Sequence, residues 1–177
     1  MLGLAGCGSL AAADLPAPAG VVAGAQRAGA FSVDAARDRL EHAGGGSATT
    51  CREPTAVALL DRGAKVAVLC GRERVLEVYD ARTLERLGRT GAGIGPVGLA
   101  TDGVQLLYVT DVEGDALLVF HLRPRFELIR RVHVIGGPYA ISFDKARWEL
   151  TLTLSKAGKT VRYAAGNRPV WRETLRR

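Results

Sequence analysis

Chemistry in this chain would have to come from a pair of cysteines, a glycine-rich segment, an acidic loop or three histidines. Gly93-Ile94-Gly95-Pro96-Val97-Gly98 matches G-x-G-x-x-G, a pattern whose backbone cradles a pyrophosphate, with Asp115 at about the spacing of the ribose-binding acid. Its surroundings exclude that role. Pro96 has no N–H to give, and a short strand with an Asp102-Gly103 turn follows where a phosphate site needs the amino end of a helix. Asp111-Val112-Glu113-Gly114-Asp115 has the acids of a calcium loop but not the distal Glu, and reads as a solvated turn. His42, His121 and His133 lack metal-ligand spacing, so no metal is expected. Ser142 and Ser155 have no evident base and there is no G-x-S-x-G elbow. No catalytic residue and no cofactor is therefore expected.

Cys51 stands three residues before Pro54, at the start of an apolar run, and Cys70 ends the next run. If the two runs form an antiparallel hairpin, these ends lie on one side. The pair then forms a disulfide, allowed in an exported protein and stabilising by about 3 kcal/mol, or else two separate buried thiols.

The elements that would carry these residues repeat. Glu53-Pro54-Thr55-Ala56-Val57-Ala58, Gly95-Pro96-Val97-Gly98-Leu99-Ala100 and Gly137-Pro138-Tyr139-Ala140-Ile141-Ser142 stand about 42 residues apart, a period typical of propeller blades. Each unit holds four short runs with period-two alternation: residues 55–60, 65–70, 75–79 and 84–89; then 97–101, 105–110, 116–121 and 127–134; then 139–143, 149–154, 160–164 and 170–175. Turn residues such as Asp61-Arg62-Gly63, Asp102-Gly103 and Asp144-Lys145 separate them. No run has the length and spacing of a crossover helix, so an antiparallel meander is predicted. Upstream, residues 21–25, 30–34 and 39–43 read as the last strands of a further blade whose innermost strand is not visible. The turn Asp34-Ala35-Ala36-Arg37 is matched to Asp80-Ala81-Arg82-Thr83.

Gly95-Pro96-Val97-Gly98-Leu99-Ala100-Thr101-Asp102-Gly103, Leu107-Tyr108-Val109-Thr110-Asp111 and Leu117-Leu118-Val119-Phe120, with Val75-Leu76-Glu77-Val78-Tyr79-Asp80 in the preceding unit, resemble the YVTN-type β-propeller repeat and its NHL-like relatives. The resemblance covers roughly residues 50–175. The last unit departs most, with Leu152-Thr153-Leu154-Ser155 in place of Tyr-Val-Thr-Asn/Asp. It implies an all-β fold: a β-propeller of about three to three and a half four-stranded blades, an incomplete ring where closure takes about 4–8. The predicted organisation is a signal remnant at 1–7, a tether at 8–20, a partial blade at 21–50, and blades at 51–92, 93–134 and 135–177. Such an arc is expected to expose two blade faces and strand edges, and self-association could complete the ring.

Leu4-Ala5-Gly6-Cys7 followed by Gly8-Ser9 resembles the bacterial lipobox, which implies lipidation at Cys7, an Ala/Pro/Gly-rich tether and a place in the cell envelope outside the cytoplasmic membrane. Only six residues precede Cys7 and none is basic, whereas a signal peptide has a positive start and a longer apolar stretch. Either the start lies upstream or the match is accidental.

The net charge is +6, with 20 Arg and 4 Lys interleaved among 18 acids. Without a clustered basic face, nucleic acid is not an expected partner. A mildly basic surface suits an anionic envelope. In a meander of this kind the proline-bearing lead-in loops and the turns between second and third strands share a face. Arg52, Arg72, Arg74, Asp111, Glu113, Asp115, Tyr139, Lys156 and Lys159 fall there and form the candidate ligand-binding rim, its ligand an unknown protein or small molecule. The leading expectation is an exported, lipid-anchored binding or scaffold module. The alternative is a fragment of a lactonase-like or quinoprotein-like propeller enzyme.

Overall fold

The computed structural model describes residues 26–122 and 125–165, together with the backbone of Glu173–Thr174. Among them, sixteen strands form four antiparallel sheets of four, each a meander in chain order. The first blade comprises β1 (Arg27–Ala28), β2 (Phe31–Asp34), β3 (Arg39–His42) and β4 (Ser47–Thr49). The second comprises β5 (Pro54–Leu60), β6 (Lys65–Cys70), β7 (Val75–Asp80) and β8 (Arg86–Gly91). The third comprises β9 (Pro96–Thr101), β10 (Leu106–Asp111), β11 (Ala116–His121) and β12 (Glu127–His133). The fourth comprises β13 (Pro138–Asp144), β14 (Glu149–Leu154), β15 (Lys159–Ala164) and β16 (Glu173–Thr174).

Strand chemistry follows position in the blade. The middle strands β6, β7, β10 and β11 are covered on both faces by neighbouring blades and read as nearly continuous apolar runs. The outer strands β8 and β12 face water on one side and carry Arg86, Arg89, Arg130 and Arg131. Aspartates close the tight turns: Oδ1 of Asp34 accepts from the N–H groups of Ala36 and Arg37, Asp80 from Arg82 and Thr83, and Asp144 from Ala146 and Arg147. Asp102, itself buried, accepts from Val104, Gln105 and Leu106.

The inner strands pack in sequence, β1 on β5, β5 on β9 and β9 on β13. Three apolar clusters fill the seams. Phe31, Leu40, Val57, Val66, Val68 and Tyr79 lie between the first and second blades. Leu60, Leu69, Leu76, Leu107, Leu118 and Phe120 lie between the second and third. Tyr108, Leu117, Leu150, Leu152 and Leu154 lie between the third and fourth. This arrangement is an incomplete β-propeller, an open arc of four blades in which the first and fourth do not pack on each other as successive blades do.

Two details differ from the sequence reading. The amino-terminal blade has all four strands, its innermost reduced to Arg27–Ala28 and its outermost to Ser47–Thr49; residues 21–25 lie outside the described residues. Strands of two or three residues are too short to show alternation, which is why these two escape a pattern search. The Asp34 turn joins second to third strand, whereas Asp80 closes third to fourth. What the two share is the aspartate-capped turn, not the place in the blade.

The two end faces of the arc that the sequence reading expected to be exposed are polar. On the first blade, Ser32 pairs with Glu41 and Asp34 with Arg39, on the side opposite Phe31 and Leu40. On the fourth, Thr151 pairs with Arg162 and Thr153 with Thr160, opposite Leu150, Leu152 and Val161. The positions of the second blade that correspond to those of the fourth, Ala67, Leu69, Leu76 and Val78, are buried and apolar. Side chains that face water are the ones that have become hydrophilic.

Candidate functional site

The face bearing the lead-in loops is built by one recurring bond. The turn between second and third strands ends on a residue with positive φ: Asp38 (54°), Arg74 (58°), Asp115 (44°) and Gly158 (60°). The carbonyls of Asp38, Arg74 and Asp115 accept the N–H groups of Thr50, Ala92 and Val134, at 2.8, 2.7 and 2.8 Å. Each turn is thereby fastened to the segment that leaves its own blade for the next. The lead-in loops and these turns form one rim.

A second fastening holds each lead-in loop, and its chemistry changes from blade to blade. In the second blade Cys51 and Cys70 form a disulfide with Cα atoms 6.0 Å apart. Beside it the N–H of Cys51 donates to Oε2 of Glu77 at 3.0 Å. Glu77 is fully buried; it also accepts from the Tyr79 hydroxyl at 2.6 Å and from Arg86 Nη1 at 2.9 Å. Burial, then the hydrogen bond to Glu77, holds the Tyr79 phenol well above its ordinary pKa. Flanking this core, the N–H of Arg52 donates to Glu73 Oε1 (2.7 Å) and that of Glu53 to Asp38 Oδ1 (2.7 Å). The Arg52 N–H, ahead of the Arg89 guanidinium, keeps the Glu73 carboxyl below its usual range.

In the third blade a carboxylate replaces the disulfide. Buried Asp111 accepts from the N–H groups of Ile94 (3.1 Å), Gly95 (2.8 Å) and Gly114 (3.0 Å), with Arg131 Nη1 at 3.6 Å. In the fourth, Asp115 reaches forward from the preceding blade to the N–H groups of Gly137 (2.8 Å) and Gly136 (3.3 Å), with Lys156 Nζ at 3.4 Å. The bond from Gly137 is the main reason its pKa lies below the ordinary 3.8.

Each of the rim residues read from sequence has a definite place. Asp111 and Asp115 are occupied by loop N–H groups, and Lys156 spans the Val112 carbonyl and Asp115. Tyr139 is half-buried, and its carbonyl accepts from the Thr110 hydroxyl at 3.0 Å. Glu113 is exposed and stands against Gly95. Arg72 Nη1 pairs with Glu53 Oε1 at 2.6 Å, both exposed. Arg89, which contacts Glu73, also lies 3.7 Å from Glu77 through Nε. Arg52 and Arg74 are exposed and have no ion pair among the described residues. Glu73 is thus contacted by Arg89 and by the Arg52 N–H, which donates to it, and Arg72 and Arg74 flank it in the turn between β6 and β7. Lys159 stands apart, at the seam between third and fourth blades. Cys7 lies outside the described residues. Among the described residues no group of three His, Cys, Asp or Glu is placed to hold a metal ion.

Glu77 was missed in the sequence, though a signal was available. Ladder pairing aligns Cys70–Val75 with Asp111–Ala116 and Leu154–Lys159, which puts Glu77 at the position of Leu118 and Val161. The first blade has Glu41 at this position, on its water-facing side; a carboxylate inside a seam, where the third and fourth blades keep an aliphatic side chain, marks a site.

No family model matches the chain, and no curated protein matches it either. Solved structures do. The dihydro-heme d1 dehydrogenase NirN is similar with a TM-score of 0.69 at 14% identity, over 82% of this chain and 34% of that one. A functionally unknown protein from Desulfotomaculum acetoxidans has a TM-score of 0.68 at 11% identity, over 82% and 50%. The β-propeller domain of Cps50 (Swd1) from Myceliophteria thermophila has a TM-score of 0.55 at 14% identity, over 68% and 36%. At these identities the likeness is one of fold. The chain spans between a third and a half of the length of these structures.

Proposed function

We propose that this chain is an exported, lipid-anchored β-propeller module that works by binding rather than catalysis, with its basic rim on the second blade turned toward an anionic envelope surface. The observation that carries this reading is the group of four arginines around Glu73, of which Arg52 and Arg74 form no ion pair among the described residues. The most buried carboxylates near the rim, Glu77 and Asp111, are already committed to loop N–H groups, which supports a holding role for them over acid–base work. The Cys51–Cys70 disulfide fits an oxidising compartment, and Leu4-Ala5-Gly6-Cys7 supplies the anchor. A lipid chain combined with a basic patch is a physically sufficient pair of signals for stable membrane attachment, each arginine near an anionic surface adding about 1 kcal/mol.

The unlipidated full-length chain tests the rim separately from the anchor. It should co-sediment with vesicles containing phosphatidylglycerol and not with pure phosphatidylcholine, and the binding should fade as salt rises. Arg52→Glu with Arg74→Glu should abolish it. Equal sedimentation with both vesicle types, or an unchanged double variant, would reject the reading.

A further inference from the structure

The lead-in loops of the second and third blades are fastened by Cys51–Cys70 and by Asp111 on Ile94 and Gly95. At the fourth blade the equivalent residues are Ile135 and Leu154, which can make neither bond, and the loop is held instead at Gly136 and Gly137 by Asp115, which leaves Ile135 itself without a partner position. Leu154 is buried in the seam, but Ile135 is 73% exposed, far more than an isoleucine packed as a fastening would be. A cleft with a volume of about 350 Å³ opens here, lined by Val134, Ile135, Leu154, Ala157 and Tyr163 with His133 and Lys159. That size is at the lower end of the range for small-molecule sites.

The polar residues of this cleft carry the second part of the argument. Lys159 occupies the ladder position held by Val75 in the second blade and Ala116 in the third, where the side chain closes the seam. An ammonium has replaced an apolar plug, and Lys159 has no ion pair among the described residues. No Asp or Glu lines the cleft. An apolar wall, a lysine and a histidine, with no acid between them, complement one ligand chemistry: an aliphatic or aromatic body ending in a carboxylate.

We propose that the seam between third and fourth blades is a binding site for a small amphiphilic monocarboxylate, its carboxylate paired with Lys159 and its apolar body laid against Leu154, Ile135 and Val134. This site lies on different blades from the arginine rim and stands or falls independently of it.

Isothermal titration of the full chain with sodium octanoate tests it, with 1-octanol as the uncharged counterpart. Octanoate should bind saturably at one site, and octanol about tenfold more weakly or worse, as expected when one ion pair is lost. Lys159→Met should weaken octanoate by about tenfold while leaving the thermal melt unchanged. Ala157→Trp, at an exposed turn residue, should fill the cleft and abolish binding. If that variant loses cooperative unfolding, Ile135→Asp serves instead, placing a like charge beside the carboxylate on a side chain already in water. No saturable octanoate binding, octanol binding as tightly as octanoate, or wild-type affinity in Lys159→Met would overturn the proposal.

Discussion

The N–H of Cys51 donates to Oε2 of Glu77 at 3.0 Å, so the disulfide and the buried carboxylate of the second blade hold the same loop from two sides. Cys51 is fixed through its sulfur to β6 and through its backbone to β7. Neither bond alone would set both the position and the direction of the chain as it enters β5.

Removing the disulfide should therefore weaken the blade without dissolving it. Cys51→Ala with Cys70→Ala is expected to lower stability by about 3 kcal/mol, the chain-entropy value for a loop of this size. Chemical denaturation of the double variant against the oxidised parent checks this. A melt indistinguishable from the parent would mean that the Glu77 contacts already restrain the loop.

Glu77 should be more costly to truncate than to replace by an apolar residue. Glu77→Ala leaves the Cys51 N–H without its acceptor and the Tyr79 hydroxyl with the Thr49 carbonyl alone, and opens a void, an expected loss of about 2–4 kcal/mol. Glu77→Leu restores the residue type of Leu118 at the same ladder position and should cost less, with Tyr79 keeping its 3.3 Å contact to the Thr49 carbonyl. Urea unfolding of the two variants decides the order.

Asp111 is expected to behave as a structural residue. Asp111→Ala orphans the N–H groups of Ile94, Gly95 and Gly114 and should cost about 2–4 kcal/mol. Asp144→Ala, at a solvent-facing turn, should cost less than about 1 kcal/mol. Similar losses in the two melts would count against the buried role. Gly93→Ala should also destabilise, because φ is 110° there and a Cβ would come within 2.5 Å of Asp111 Oδ2.

Asp115 adds a pH dependence of known sign. Its folded pKa lies below 3.8, chiefly through the Gly137 N–H, so its contribution is fully present above that unfolded value and is lost as pH falls through the lower, folded one. Asp115→Asn should be less stable than the parent at neutral pH and should lose less on acidification below about pH 4. Melting temperature measured from pH 7 down to pH 2 checks it; parallel curves would refute the assignment.

The polar end faces predict a monomer. Light scattering of the purified chain should give the mass of one copy, and a single cooperative melt should accompany it. Thr151→Leu with Thr153→Leu and Arg162→Leu should drive association. These changes recreate an apolar face like that formed by Ala67, Leu69 and Val78 in the second blade, without altering the seam cluster. A dimer in the parent would instead point to ring completion between copies.

Much of the fold was legible because it depends on residue types. The even spacing of Pro54, Pro96 and Pro138 marks the inner strands, and the aspartates at 80, 102 and 144 mark turns that a carboxylate can cap. The work of Asp111 and Asp115 was not legible. Their partners are backbone N–H groups of distant loops, which every residue but proline possesses, so nothing in the sequence names them. Glu77 was hidden for another reason. Inside Val75-Leu76-Glu77-Val78-Tyr79 it looks like the water-facing member of an alternating strand, and only alignment of the ladders shows that its side points into a seam. The apolar pair Ile135 and Leu154, where the holding passes to Asp115, could be noticed only once its counterparts at Cys51 and Asp111 had been seen to hold something.

The fastenings also differ in reach. Cys51–Cys70 and Asp111–Gly95 each begin and end inside one repeat, whereas Asp38–Glu53 and Asp115–Gly137 cross from one repeat to the next. A stretch that carries its own clasp can be copied, moved or set in tandem without its neighbour's consent; one that depends on an upstream acid cannot. Residues 93–134, whose lead-in loop is held by their own Asp111, therefore form the natural cassette of this chain, the segment from which longer arrays could be assembled by simple duplication.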